Sequence, residues 1–216
     1  MRRTISNPPN PWRSSDLEYL DEIPETRREV YEDHARTILS VNDEALVGFK
    51  FGLNPYRGCE HACAYCEARR RHMYLGFGAG TDFDTKIVIK PNAPVLLREA
   101  FAAKSWRGDV IVMSGATDCY QPLEASYRLT RQCLAVCAEY RNPVAIVTKG
   151  ALIERDLDLL GELTNLARVT VTISIPFWDP EVARRLEPGA PTPAWRMRTV
   201  ERLAARGIDV GIAIAP

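Results

Sequence analysis

Residues 54–66 read Asn54-Pro55-Tyr56-Arg57-Gly58-Cys59-Glu60-His61-Ala62-Cys63-Ala64-Tyr65-Cys66. The stretch follows an apolar, strand-like segment at residues 46–53 and opens into a helical one. That puts it at the C-terminal end of a βα unit, where such folds carry their chemistry. Three thiols fall within eight residues, and a loop that ends at a helix start lets their side chains point to a common centre. Three thiolates can hold three corners of an iron–sulfur cube and leave one iron open for a substrate or cofactor, whereas ferredoxin loops cap every iron with cysteine. The alternative is tetrahedral zinc, completed by His61, His72 or the distant Cys119. Zinc sites usually come as paired knuckles, and the chain has no second Cys-x2-Cys and no His-x3-His.

On either side of this loop the sequence alternates between strand-like and helix-like segments. Residues 46–53, 110–114, 144–148, 169–175 and 210–215 are short, apolar and largely β-branched, as strands buried on both faces should be. Helical spacing marks residues 123–140, 153–166 and 194–206, the last stopped by Gly207. Residues 86–90 read as one extra strand, followed by a helix near residues 94–104. The alternation predicts an α/β fold built on a parallel sheet. Upstream, the proline-rich residues 7–15 predict an extended arm. Val30, His34 and Ile38, with Tyr31, Ala35 and Leu39, predict a short amphipathic helix over residues 25–39. The expected organisation is therefore an N-terminal arm and helix at 1–44 and a core at 45–216.

The chain has 216 residues, 46% of them hydrophobic, enough for one main domain. Its 28 basic and 28 acidic residues cancel, so no overall field favours a polyanion or an anionic membrane. No signal-peptide pattern and no membrane-length apolar run is present, and a cytoplasmic protein is expected. In a reducing compartment the six cysteines are read as metal ligands, reactive thiols or small core residues.

Cys-x3-Cys-x2-Cys with an aromatic residue, Tyr65, just before the third cysteine resembles the radical S-adenosylmethionine (SAM) superfamily. The resemblance implies a partial (β/α)6 barrel, here apparently lacking the sixth strand at the C-terminus. It also implies a [4Fe-4S] cluster on Cys59, Cys63 and Cys66 and a SAM molecule chelating its open iron. An electron from an external flavodoxin- or ferredoxin-like donor then cleaves SAM to methionine and a 5′-deoxyadenosyl radical that abstracts a substrate hydrogen.

The whole stretch from Asn54 to His61 is similar to the cluster loop of the spore photoproduct lyase-like proteins, also called DNA repair photolyase-like. Ser114-Gly115-Ala116-Thr117-Asp118-Cys119-Tyr120-Gln121-Pro122-Leu123-Glu124 resembles that group's Thr-Asp-x-Tyr-Gln-Pro segment. This implies a role for Thr117 and Asp118 at the SAM amino group, the alternative for Asp118 being a helix cap. Lys149, in Val147-Thr148-Lys149-Gly150, corresponds to the lysine of the group's Thr-Lys-Ser and pairs with the SAM carboxylate by that analogy; its alternative is an exposed loop lysine. Gly150 departs from the group's serine. Ser174 is the matching candidate for a ribose or carboxylate contact, while Leu186-Glu187-Pro188 and Arg198 match with a weaker case for contact.

True lyases of this group carry a hydrogen-returning cysteine where this chain has Gly115, so the resemblance does not extend to thymine-dimer repair. Cys119 is the candidate donor thiol, against an equal reading as a small buried residue. Cys133 and Cys137, one helical turn apart, read as core. Arg69-Arg70-Arg71-His72 reads either as a phosphate-contacting patch, which makes nucleic acid a candidate partner, or as a solvated helix face offset by nearby acids. The expected function is thus a radical SAM enzyme, the alternative a cluster-bearing binding or electron-transfer protein without turnover.

Overall fold

The computed structural model describes residues 3–5, 28–42 and 48–215. The proline-rich arm and residues 46–47 of the first expected strand lie outside them. The fold is mixed α/β with two sheets. The larger has the strand order β10-β9-β8-β7-β4-β3, with β3 at Leu39–Val41, β4 at Phe51–Leu53, β7 at Ile111–Met113, β8 at Val144–Thr148, β9 at Val169–Ser174 and β10 at Asp209–Ala213. β4, β7, β8, β9 and β10 run parallel, and β3 pairs antiparallel with β4 at one edge. This is the expected partial barrel with five parallel strands, open between β3 and β10.

Helices α3 (Ala93–Ala102), α5 (Leu129–Glu139), α6 (Leu157–Leu166) and α8 (Pro193–Ala205) supply the crossovers. Leu53, Ile111, Ile146 and Ile173 from the strands meet Leu97, Leu134, Leu160 and Leu203 in one core. Each buried aliphatic side chain contributes about 1.5–3 kcal/mol of transfer free energy.

The smaller sheet has the order β1-β2-β6-β5, with β1 at Arg3–Ile5, β2 at Glu29–Glu32, β5 at Tyr56–Arg57 and β6 at Lys86–Ile89. Val30, Tyr56, Ile87 and Ile89 pack with Leu123 and Leu129 in a second apolar cluster. The extra strand at residues 86–90 therefore exists, and it braces the segment that leads into Cys59.

The helix expected over residues 25–39 is replaced by strands β2 and β3. Val30 buries in the small cluster and Ile38 in the main core, so residues that would share one helix face serve two different cores. The helix expected over 123–140 is divided into α4 (Glu124–Tyr127) and α5 by Arg128, whose φ is +54°. The buried Glu124 carboxylate accepts the amides of Thr130 at 2.9 Å and Arg131 at 3.2 Å, starting α5 afresh. Helix α7 (Pro180–Leu186) was not expected, although Asp179-Pro180 signals it: Asp179 accepts the amides of Glu181 and Val182, and proline fits the first helical turn.

Candidate functional site

The candidate residues lie on loops that follow the C-terminal ends of β4, β7, β8 and β9. The cysteine loop is fixed by its backbone. Gly58 has φ +79°, and a Cβ there would lie 2.9 Å from the Phe83 carbonyl and 3.1 Å from the His72 ring, so only glycine fits. The Cys59 amide donates to the Phe83 carbonyl at 2.9 Å, and Ala62 turns the chain with φ +55° before Cys63. The Gln121 side chain, wholly buried, accepts from the Glu60 amide at 3.0 Å and donates to the Gly58 carbonyl at 3.2 Å. The Thr117 hydroxyl donates to the same carbonyl. Asn54 holds the loop after β7 by accepting the amides of Gly115 and Ala116 at 3.0 and 2.9 Å.

Opposite these contacts runs the segment after α7. The Ala64 amide donates to the Leu186 carbonyl at 2.8 Å and the Gly189 amide to the His61 carbonyl at 3.1 Å. Glu187, wholly buried as a side chain, gathers the predicted residues. The Tyr65 hydroxyl donates to its Oε1, Lys149 Nζ lies 3.4 Å from that oxygen, and Arg196 pairs with Oε2. Lys149 Nζ also donates to Ser174 Oγ at 2.6 Å, and Arg196 donates to the Ser174 carbonyl at 2.9 Å. Tyr65, Lys149 and Ser174 are therefore brought together. Lys149 is no ordinary exposed lysine, with its side chain 15% exposed. Glu187 pairs with Arg196, two positions before the Arg198 that the resemblance pointed to. A buried arginine in a helix whose other basic residues face water carries no one-dimensional signal.

Asp118 faces four donors: the Tyr120 amide (2.8 Å), the Thr148 hydroxyl (2.6 Å), the Lys149 amide (2.7 Å) and His61 Nδ1 (3.2 Å). Burial alone would raise its carboxyl, but His61 and these hydrogen bonds hold it down at about 2. Thr117 and Asp118 stand at the cysteine loop, the Thr117 hydroxyl accepting from the Gln121 side chain and the Asp118 carboxylate holding donors of the chain itself. Gly150 has a steric reason: a Cβ would lie 2.3 Å from the Tyr120 carbonyl oxygen, which leaves no room for the group's serine.

Burial pushes the Cys59 thiol well up and the Cys63 thiol up to about 12, the Lys149 ammonium opposing the rise at Cys63. Cys66 is half-buried. Cys119 stands apart from this group. It is wholly buried in the main core, with its amide on Ser114 Oγ at 2.9 Å and its carbonyl accepting from the Thr130 hydroxyl. Burial raises its thiol, and its side chain packs among the residues of the main core. Cys133 and Cys137 are buried in the same core.

The residues suggested to complete a zinc site are committed elsewhere: His61 to Asp118, His72 between Phe77 and Phe83, and Cys119 to the core. Among the described residues no three His, Cys, Asp or Glu converge on a single ion. A cube spreads three thiolates over three irons instead, and three soft thiol donors on one braced loop, with a cation beside them, suit that group.

A parallel α/β sheet thus carries a three-cysteine loop at the C-terminal ends of its strands. Residues 53–215 match the family model for the radical SAM superfamily, and the chain belongs to that superfamily. It is 40% identical over 176 residues to the uncharacterized protein Rv2578c of Mycobacterium tuberculosis, covering 82% of this chain and 52% of that protein. It is 30% identical over 176 residues to the uncharacterized protein MJ0683 of Methanocaldococcus jannaschii, covering 82% of this chain and 63% of that protein. The chain thus spans about half to two thirds of the length of these relatives.

The fold is similar to part of that of spore photoproduct lyase. A structure of that enzyme with dinucleoside spore photoproduct superposes with a TM-score of 0.63 at 15% identity, covering 87% of this chain and 51% of the lyase. Superfamily membership implies a [4Fe-4S] cluster and SAM as cofactors. No helix among the described residues is long and apolar enough to cross a membrane.

Proposed function

We propose that Cys59, Cys63 and Cys66 hold a [4Fe-4S] cluster and that the chain uses it for radical chemistry on SAM. The observation that carries this reading is the placement of the three-cysteine loop directly against the Tyr65–Lys149–Ser174–Glu187 group, at the C-terminal ends of the parallel strands. When bound, the cluster supplies the electron for reductive cleavage of the SAM sulfonium. Lys149 and Ser174 present a cation and a hydroxyl suited to a carboxylate or ribose, and Glu187 and Arg196 hold them in place. Thr117, Asp118 and Gln121 act by position, tying the loops after β7 and β8 to the cysteine loop. An external flavodoxin- or ferredoxin-like protein is the electron donor.

The substrate class this reading favours contains a nucleotide unit, by analogy with the dinucleoside bound in the solved lyase structure. Gly115 replaces the lyases' hydrogen-returning cysteine, so the proposal covers hydrogen abstraction and not thymine-dimer repair.

The test is anaerobic reconstitution with iron and sulfide, reduction with dithionite, addition of SAM and quantification of 5′-deoxyadenosine. The wild-type chain should produce it, and Cys59→Ala, Cys63→Ala and Cys66→Ala should not. An intact cluster without 5′-deoxyadenosine would favour a binding or electron-transfer role, and zinc in place of iron would overturn the reading.

A further inference from the structure

Arginines reach the cysteine loop from both sides of it in sequence. On α1 (Ala68–His72), Arg69 Nε donates to the Cys63 carbonyl at 2.9 Å and Arg69 Nη2 meets Asp84 at 2.8 Å, while Arg70 and Arg71 are exposed. From far upstream, Arg28 Nη1 lies 2.8 Å from Glu60 Oε1. Glu60 stands between Cys59 and His61 with its side chain 2% exposed, and an ionised carboxylate taken out of water is costly unless a counter-charge meets it. Arg28 lies well before residue 53, where the match to the superfamily begins.

The small sheet brings this distant residue to the loop. β2 runs parallel to β6 with Glu29 opposite Lys86, so Arg28 leaves the sheet beside Thr85. The helical turn that ends there, α2 (Thr81–Thr85), carries Phe83, whose carbonyl accepts the Cys59 amide at 2.9 Å. Arg28 and Glu60 thus meet at the end of the sheet to which the cysteine loop is tied. Val30, wholly buried in the small apolar cluster, and the Asp33 amide on the Ile89 carbonyl at 2.8 Å fix the strand that presents Arg28.

The two arginine contacts differ in charge. Arg69 is balanced by Asp84 and touches the loop through a neutral carbonyl, whereas the carboxylate that Arg28 meets belongs to the loop itself. Glu60 places a buried negative charge one residue from a cysteine. A cluster held there becomes more negative on reduction, and its potential follows the charge and burial around it.

We propose that Arg28 is a positioning residue for the cluster: through its ion pair with Glu60 it holds the cysteine loop and offsets a carboxylate that would oppose entry of the electron. The proposal rests on the reading of Cys59, Cys63 and Cys66 as cluster ligands, and it extends the site to the segment ahead of β2. The two charges act on the potential with opposite sign. Arg28→Met removes a cation from Glu60 and should shift the potential down. Glu60→Gln keeps the shape, leaves the cation and should shift it up. Arg28→Lys keeps the charge, and the double variant Arg28→Met with Glu60→Gln removes both, so each should lie near the wild type. A pair that only braced the loop would cost iron without moving the potential in opposite directions.

The test is a redox titration of the full chain, reconstituted anaerobically without SAM and followed by electron paramagnetic resonance of the reduced cluster. Iron per chain is measured beside it, as is iodoacetamide labelling of Cys59 in the cluster-free chain. Opposite shifts are expected in the two single neutralising variants. Arg28→Met should also lose iron severalfold and label severalfold faster at Cys59, both effects being reversed in Arg28→Lys. Glu60→Gln and the double variant carry the titration where Arg28→Met loses its cluster altogether. Potentials that do not move, or that move with the same sign, in variants that hold the cluster would overturn the proposal and leave the cluster reading standing. A wild-type chain that takes up no iron–sulfur cluster would overturn the cluster reading and this proposal with it.

Discussion

A Cβ on Gly189 would lie 2.0 Å from the carbonyl oxygen of Glu60 and 3.0 Å from Cα of His61. The segment after α7 is thus pressed backbone to backbone against the cysteine loop, and the Gly189 amide bonds the His61 carbonyl in the same contact. Gly189→Ala cannot be accommodated by a side-chain movement, because both obstructing atoms belong to the main chain. Iron per chain after reconstitution should fall severalfold in this variant, while Gly161→Ala, on the open surface of α6, should load as the wild type does.

Glu187 and Arg196 form a buried ion pair, their side chains 0% and 1% exposed. Removing one partner of such a pair leaves an uncompensated charge and typically costs about 3–5 kcal/mol. Arg196→Met should lower the free energy of unfolding, read by chemical denaturation, by up to about that amount, Lys149 remaining as a partner 3.4 Å from Glu187. Glu187→Gln keeps the shape but releases Lys149 and Tyr65. Its SAM affinity should fall more than its stability, as read by equilibrium dialysis beside chemical denaturation.

The cluster-free chain should show ordered thiol reactivity. Cys66 is half-buried, whereas burial holds the Cys59 and Cys63 thiols in their neutral form, Cys63 at about 12. Because the thiolate is the nucleophile, iodoacetamide at pH 8 should label Cys66 first, and Cys119, Cys133 and Cys137 only after unfolding. Peptide mass spectrometry reads the order; early labelling of Cys119 would contradict its place in the core.

Acid should destabilise the fold through Asp118. Its folded carboxyl is held at about 2 against an ordinary 3.8, so its contribution is fully present above pH 4 and is lost as pH falls toward 2. The difference corresponds to about 2 kcal/mol. Asp118→Asn should flatten the acid limb of stability measured by denaturant titration between pH 5 and pH 2, at the cost of lower stability at pH 7.

Much of the site was legible from local pattern. The strands at 144–148 and 169–174 announce themselves by β-branched apolar runs, and Cys59, Cys63 and Cys66 by a spacing that suits one cluster. Lys149 and Ser174 end such strands, and a residue at the C-terminal end of a parallel strand faces the chemistry wherever the sheet is built.

What the linear chain could not specify are matters of who meets whom. Val30 and Ile38 obey helical spacing yet bury in two separate cores, because β2, which carries Val30, pairs with β6, and β3, which follows Ile38, pairs with β4, both more than ten residues further along. The Glu187–Arg196 pair, the Thr117 and Gln121 clasps on Gly58 and the approach of Gly189 to Glu60 join segments that touch only after the sheets have formed. Periodicity and ligand spacing are local and survive in one dimension, so the sequence by itself determined the α/β class and the cysteine loop. Desolvation, steric exclusion and charge pairing depend on the density of neighbours from distant positions, so only the tertiary structure decided which loops brace that site and that Arg196, not Arg198, pairs with Glu187.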